Sequence, residues 1–390
     1  MLKQPKRANL NIWLDGANVL ASCSIEGGWQ SNFVHLKADR PTMANLLMQI
    51  KDILPSNTID VWSELADPLA APQNDFVVGE LRKCMESTVS GGSSLYHELS
   101  ACGLKTILNR VNSLPDGSML TINTDFAFFP WEILYPEEYS MYWSATLKAQ
   151  RPFDVKKLWG YRFIIDYNMM PWEDEGWVPP VEEHKGGSPF ISFNLNPTIE
   201  QSFINKQFHP IKFHQDFFQK RITSSSGELL QIGAAIQDKL VAVDNAATII
   251  YLYCHGSSSI PFRENSQELL ELDAHIQIPP NALNFAATYL RGPIVFLNSC
   301  LSGMQSPLSF SSFHKTFRQK RALGIIGTGI KIPGAFAAAF ACRVIDVYLD
   351  SVPLGEAMYH LRRELVDKGN PLALFYSLQC PSCFGLKASG

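Results

Sequence analysis

The stretch TIIYLYCHG, at residues 248–256, decides the fold of this chain. It opens with a run of apolar and aromatic residues, which is typical of a strand buried on both faces, and a Cys-His-Gly triplet follows the run at once. A second stretch, IVFLNSCLSG at residues 294–303, repeats this pattern of an apolar run followed by small and polar residues. Reactive groups of parallel sheets lie just beyond the carboxyl ends of the strands, so both stretches predict chemistry at a sheet edge.

From about residue 188 to residue 390, the sequence pattern predicts strands that alternate with helices. Further apolar runs at 190–193, 323–327 and 372–376 predict more strands, and apolar residues at helical spacing, such as Phe336 and Phe340, predict helices between them. Strands that alternate with helices predict an α/β fold class with a mostly parallel sheet.

The front half predicts a mixed α/β region. Alternating apolar residues ahead of the turn DGAN, at residues 15–18, indicate a β-hairpin. Two helices are expected near residues 76–87 and 94–109, and the SGGS sequence at 90–93 is expected to separate them. An acidic, proline-bearing segment at 171–180 is expected to be a surface loop or a linker.

These breaks divide the chain into three expected parts. Residues 1–75 are an accessory α/β module, residues 76–187 a middle region, and residues 188–390 the α/β core. The front module either regulates the core, for example by recruiting a partner, or only extends the fold, and both interpretations are open.

Composition excludes several classes of protein. Hydrophobic residues make up 46% of the 390 positions and charged residues 18%, so a disordered chain is excluded. The net charge of −4 provides no basic excess, so no nucleic-acid partner is expected. Eight cysteines are too few for a disulfide scaffold. Because the sequence shows neither a signal-peptide core nor a long apolar run, we expect a cytoplasmic protein that does not enter the membrane.

The two strand ends carry the residue types of nucleophilic catalysis. If the strands are parallel neighbours, His255 lies close to Cys300, and a histidine can act as acid or base for a cysteine nucleophile. The backbone N–H groups of Gly256 and Cys300 are candidate donors to an oxyanion. The competing interpretation is structural, since free cysteines are often buried as small apolar residues.

Several motifs in the expected order resemble one family. His255-Gly256 and then FLNSCLSG at 296–303 resemble the CHAT-domain cysteine proteases of the caspase and separase clan. The resemblance spans about residues 76–390, and its remaining motifs are FPWEILY at 129–135, LGEA at 354–357 with RREL at 362–365, and the stretch 370–378.

The resemblance implies a caspase-like three-layer sandwich that hydrolyses peptide bonds with a dyad of His255 and Cys300. It makes residues 76–187 a pseudo-protease-like N-terminal region and residues 188–390 the protease core. Proteases of this kind often act in bacterial defence and regulated cell death, so the expected partner is a protein substrate, for example a gasdermin-like protein. The alternative function is a binding or scaffold module that keeps the fold without turnover.

Three further residues, Asp273, Ser302 and Thr328, are substrate-binding candidates. Asp273 could select a basic side chain, although a solvated charged surface is the favoured interpretation of its acidic surroundings. Thr328 begins the loop TGIKIP, where the family often has an aromatic residue, so substrate preference is not carried over. The spacing of Cys380 and Cys383 matches half of a zinc site, but no second Cys-x-x-Cys pair exists, and no metal or cofactor is expected.

Overall fold

The computed structural model describes the residues given at the end of this sentence: 4–15, 18–39, 45, 53, 65–72, 74–124, 130–169, 189–203, 206–222, 226–242, 246–258, 268–283, 289, 292–299 and 313–385. Contacts divide the chain into two units. Unit 1 comprises Met1–Thr58, Ala71–Glu175 and Met358–Ser377, and unit 2 comprises Ile59–Ala70, Gly176–Ala357 and Leu378–Gly390.

The described strands of unit 1 form one mixed sheet in the order β3-β2-β1-β5-β6, with β4 also paired to β2. Their bounds are β1 Arg7–Asp15, β2 Asn18–Ile25, β3 Trp29–Gln30, β4 Val34–Asp39, β5 Met119–Thr124 and β6 Ile164–Met169. Strands β1 and β2 pair antiparallel, which confirms the predicted hairpin.

Strand β1 also pairs parallel with β5, placing Leu10 opposite Ile122. Both side chains are fully buried, because alternate residues of each strand point into the same core. The first strands therefore share a sheet with strands from the middle region. The three-part division at residues 75 and 187 stays a prediction.

The helices of unit 1 correct one sequence prediction. Helix α1, Asp75–Leu99, continues through the glycines at 91 and 92, so the break expected at 90–93 is wrong. A Cβ atom on Gly92 would lie 1.9 Å from the Ile133 carbonyl oxygen, so glycine is required there for close packing rather than for a turn. The chain instead departs from α-helix at Ser100–Leu104, where Gly103 has a φ of 118°. The helices in this unit are α1 Asp75–Leu99, α2 Lys105–Asn112, α3 Ala145–Gln150 and α4 Trp159–Arg162.

A buried ionic group lies in the core of unit 1. Arg362 Nη2 donates to Glu132 Oε1 at 2.9 Å, and the Tyr167 hydroxyl donates to Glu132 Oε2 at 2.6 Å. Burial raises the pKa of the Glu132 carboxyl, and the Arg362 charge and the Tyr167 hydrogen bond oppose that rise. Glu132 belongs to the FPWEILY motif and Arg362 to the RREL motif, so this Glu132 cluster (Glu132, Tyr167 and Arg362) joins two motifs far apart in sequence.

The sheet of unit 2 is mostly parallel. Its order is β15-β14-β13-β9-β7-β8, and β8, β7, β9, β13 and β14 each run parallel to their neighbours among these five. This arrangement confirms the predicted α/β fold class. The bounds are β7 Ile191–Leu195, β8 Gly227–Leu230, β9 Ile249–Tyr253, β13 Ile294–Asn298, β14 Gly324–Thr328 and β15 Tyr376–Gln379.

Helices cover both faces of this sheet. On one face, Ile250 and Leu252 of β9 belong to the same buried cluster as Leu240 and Phe317. On the other face, Tyr253 of β9 donates its hydroxyl to the Gly334 carbonyl. The helices described in unit 2 are α5 Pro210–Arg221, α6 Gly233–Val241, α7 Phe313–Gln319 and α8 Gly334–Leu349. Helix α9, Leu354–Asp367, begins in unit 2 and belongs to unit 1 from Met358 onward. The sheet is therefore the middle of three layers, with α6 and α7 on one side and α5 and α8 on the other.

A small antiparallel sheet follows the end of β9 directly. It is formed by β10 His255–Ser258, β11 Glu268–Glu271 and β12 Gln277–Ile278, in that order. In the part of the chain that the structure describes, no helix is long and apolar enough to cross a membrane.

Candidate active site

The two strands that precede the candidate residues are parallel neighbours, as predicted. Strands β9 and β13 pair parallel along their full lengths, and Tyr253 lies opposite Asn298 in the register. His255 follows Tyr253 by two positions, and Cys300 follows Asn298 by two positions. The two strand ends that precede the candidate base and nucleophile in sequence therefore lie side by side at the same edge of the sheet.

His255 begins β10 and lies opposite Glu271 of β11. Its side chain is exposed, whereas the preceding Cys254 is buried. Among the described residues, none forms a hydrogen bond with its imidazole ring. Gly256 follows in the same strand and lies opposite Leu270.

Cys300 and Ser302 lie outside the described residues. The description of this segment ends at Ser299, which is buried. Their roles, and the role of the Cys300 N–H toward an oxyanion, stay predictions, as do the roles of His255 and Gly256.

The backbone just before Cys300 is held by two side chains. Asn298 Nδ2 donates to the Tyr251 hydroxyl at 2.9 Å and to the Ala337 carbonyl at 2.7 Å. The Thr328 hydroxyl donates to the Ser299 carbonyl at 2.9 Å. Each of these five residues is buried, and such contacts made away from water fix the end of β13.

His214 of α5 extends the hydrogen bond between Asn298 and Tyr251 further into the core. Its Nε2 lies 2.8 Å from the Tyr251 hydroxyl, and its Nδ1 lies 2.7 Å from the Pro210 carbonyl oxygen. Burial lowers the pKa of His214 to about 3, so its imidazole is neutral near neutral pH. We call His214, Tyr251 and Asn298 the His214 chain. The sequence signal for it is weak: Tyr251 and Asn298 are polar residues within apolar strands, and nothing in helix α5 marks His214.

The structure gives Thr328 and Asp273 local contacts. Thr328 ends β14 with its side chain buried, and its hydroxyl proton points to the Ser299 carbonyl. Asp273 accepts the backbone N–H groups of His275 and Ile276 through Oδ1, and of Gly233 through Oδ2. The hydrogen bond from His275 and those from the other two amides lower the pKa of this carboxyl. The carboxylate therefore ties the turn before β12 to the start of α6, and binding of substrate by either residue stays a prediction.

The two cysteines near the C-terminus differ in solvent exposure. Cys380 is buried at the end of β15, and Cys383 is exposed. Within the described ranges, no group of three His, Cys, Asp or Glu residues is placed to hold a metal ion.

Comparisons with known proteins add two structural similarities. No family model and no curated protein matches this chain. The complex of the RgpB pro- and mature domains of Porphyromonas gingivalis is 11% identical with a TM-score of 0.40, over 87% of this chain and 78% of that one. The separase–securin complex of Saccharomyces cerevisiae is 10% identical with a TM-score of 0.48, over 96% of this chain and 30% of that one. Neither similarity assigns a family or an activity to this chain.

Proposed function

We propose that this chain is a caspase-like cysteine endopeptidase that uses His255 and Cys300. The observation that carries the proposal is the register of β9 and β13, which brings Tyr253 opposite Asn298 and so starts both candidate segments at one sheet edge. The motif resemblance described above supplies the reaction class.

The proposed reaction is hydrolysis through a thioester. The Cys300 sulfur attacks the scissile carbonyl carbon, and the Gly256 and Cys300 amides donate to the oxyanion that forms. His255 in its protonated form gives its proton to the leaving amine as the C–N bond breaks. Water then attacks the thioester while His255 accepts a water proton, and the carboxylic acid leaves as the thiolate is regenerated.

The surroundings of the other described cysteines limit their reactivity, so the proposed reactivity of Cys300 can be tested. Burial raises the pKa of the Cys23 thiol to about 12 and holds the pKa of the Cys342 thiol well above its ordinary value, so both stay protonated at neutral pH. Among the described cysteines only Cys383 is exposed. A Cys383→Ser background therefore removes the main competitor for a thiol-directed reagent.

The first experiment measures which cysteine reacts. A panel of peptidyl acyloxymethyl ketones, differing in the residue next to the reactive group, is applied at neutral pH, and the modified cysteine is identified by peptide mapping. An endopeptidase should be modified at Cys300 roughly 100-fold faster than at Cys102. A scaffold module without turnover should show no preference for Cys300 with any member of the panel.

We propose a specific partner protein as the substrate, and a gasdermin-like protein in bacterial defence or regulated cell death is the first candidate. Only the motif resemblance supports this choice. Co-expression with a candidate partner should yield a shortened partner with the wild-type chain and the intact partner with Cys300→Ala. Full cleavage by Cys300→Ala would contradict the assignment of the nucleophile.

A further inference from the structure

We propose that His214 and Tyr251 are positioning residues for Cys300, acting through Asn298; the inference rests on the proposed function. The three side chains form a continuous hydrogen-bonded series from helix α5 through β9 to the end of β13. Each is buried, and the last stands two positions before the candidate nucleophile.

Each hydrogen bond of this series has only one possible donor and one possible acceptor. The Pro210 carbonyl can only accept, so His214 Nδ1 carries the imidazole proton. Because burial keeps the ring neutral, Nε2 is left as an acceptor and takes the Tyr251 hydroxyl proton. The Tyr251 oxygen then accepts from Asn298 Nδ2.

This assignment of donors and acceptors orients the Asn298 amide. Both groups at its nitrogen, the Tyr251 hydroxyl oxygen and the Ala337 carbonyl oxygen, are acceptors, so the amide cannot be reversed without losing two hydrogen bonds. A fixed amide holds the Asn298 side chain, and with it the backbone at the end of β13, in one position.

The helix that anchors Asn298 also anchors the other strand end. Ala337 lies in the first turn of α8, and the Tyr253 hydroxyl donates to the Gly334 carbonyl in the same turn at 3.1 Å. Tyr253 stands two positions before His255. One helical turn therefore holds both strand ends, and the His214 chain holds the one that precedes Cys300 in the sequence.

The effect of this positioning is on the His255–Cys300 distance. A misplacement of about 1 Å at a reacting group can reduce the rate on the order of 100-fold. A nearby histidine also stabilises the thiolate, so a longer distance raises the pH at which Cys300 becomes reactive. A purely structural role of Tyr251 would lower stability and leave that pH unchanged.

The test measures the pH midpoint of Cys300 alkylation by iodoacetamide in the full chain, read by peptide mapping. Four proteins are compared: wild type, His255→Ala, Tyr251→Phe and Tyr289→Phe. The last is the matched control, because Tyr289 is also buried and donates one hydrogen bond, to the Leu240 carbonyl, on the other face of the sheet.

We expect a wild-type midpoint below the ordinary thiol value of about 8.5, and a return toward that value in His255→Ala. Tyr251→Phe should raise the midpoint by about one pH unit, and Tyr289→Phe should leave it as in wild type. Tyr251→Phe should also lower kcat for a cleaved peptide about 10-fold or more, with KM changed less than about twofold. His214→Gln, checked for a wild-type circular dichroism spectrum, serves as the second variant and should follow Tyr251→Phe.

The experiment distinguishes failure of the proposed dyad from failure of the proposed positioning role. Equal midpoints in wild type and His255→Ala would contradict the proposed dyad itself. A lowered wild-type midpoint that persists in both Tyr251→Phe and His214→Gln would overturn the positioning role and leave the dyad intact.

Discussion

The two units each bury a polar network, and the two networks differ in charge. The Glu132 cluster of unit 1 contains a carboxyl group and a guanidinium group, each almost completely buried. The His214 chain of unit 2 is built from neutral groups, since its imidazole does not take up a proton near neutral pH. The first joins motifs distant in sequence, and the second ends at Asn298, two positions before the predicted nucleophile in the sequence.

The difference in charge separates what each network does. A buried charge that loses its partner is very costly, so the Glu132 cluster holds its segments together and tolerates little change. A neutral hydrogen bond contributes less net free energy but fixes direction as well as distance. We therefore expect damage to the Glu132 cluster to appear as lost stability, and damage to the His214 chain to appear mainly as lost activity.

Removing the charge of Arg362 should have the largest effect on stability. Arg362→Met leaves Glu132 buried beside Tyr167 without its cation, and we expect a loss of about 3–5 kcal/mol in the free energy of unfolding. Urea unfolding followed by tryptophan fluorescence measures it, because Trp131 and Trp159 are buried in the same unit. The double variant Glu132→Gln/Arg362→Met should recover part of the loss. A loss below about 1 kcal/mol in the single variant would contradict the ionic description.

The second-largest loss of stability should come from acid, through protonation of His214 in the unfolded state. The folded-state pKa of His214, about 3, is below the ordinary value of 6.5, so the unfolded chain binds a proton that the folded chain refuses. Stability therefore falls as pH falls, by about 2.5 kcal/mol between pH 6 and pH 4. Urea titrations read by hydrogen exchange on peptides from β9 should show this loss in wild type, and a smaller one in His214→Gln. The same pH dependence in both proteins would exclude His214 as its source.

The smallest effect is the difference between two matched hydroxyl deletions. Tyr167→Phe removes the hydrogen bond to the Glu132 carboxyl and one accepted from the Trp131 N–H. Tyr251→Phe removes the hydrogen bond to the neutral His214 ring and one accepted from Asn298 Nδ2. Hydrogen bonds to charged groups contribute more, so Tyr167→Phe should cost about 1 kcal/mol more than Tyr251→Phe in thermal or urea unfolding. The order should reverse for peptide cleavage, where only Tyr251→Phe is expected to lose activity. Equal losses of stability would remove the contrast between the networks.

The sequence supported the fold of unit 2 better than that of unit 1. Buried parallel strands are continuous apolar runs, so β9 and β13 could be predicted without knowing which strands they pair with. The strand predicted at 372–376 is wrong in its bounds, because Leu372–Phe375 form a 3-10 helix and the strand is β15, Tyr376–Gln379. In unit 1 the glycines of α1 resembled a break because their reason, the close approach of Ile133, lies outside the local sequence.

The candidate site was predictable only where local sequence carries it. His255 and the end of β13 follow apolar runs, so their shared edge could be predicted. His214 could not, because it meets Tyr251 only after α5 has packed on the sheet, and nothing in its own segment marks it. Cys300 and Ser302 lie outside the described residues, and their roles stay predictions.

The central claim is that His255 activates Cys300 at the edge shared by β9 and β13. The most direct measurement is the rate at which a peptidyl acyloxymethyl ketone modifies Cys300 in wild type and in His255→Ala, both in the Cys383→Ser background. We predict a fall of about 100-fold or more in His255→Ala at neutral pH, the range expected when an acid–base partner is removed. An unchanged rate of modification at Cys300 would contradict the account.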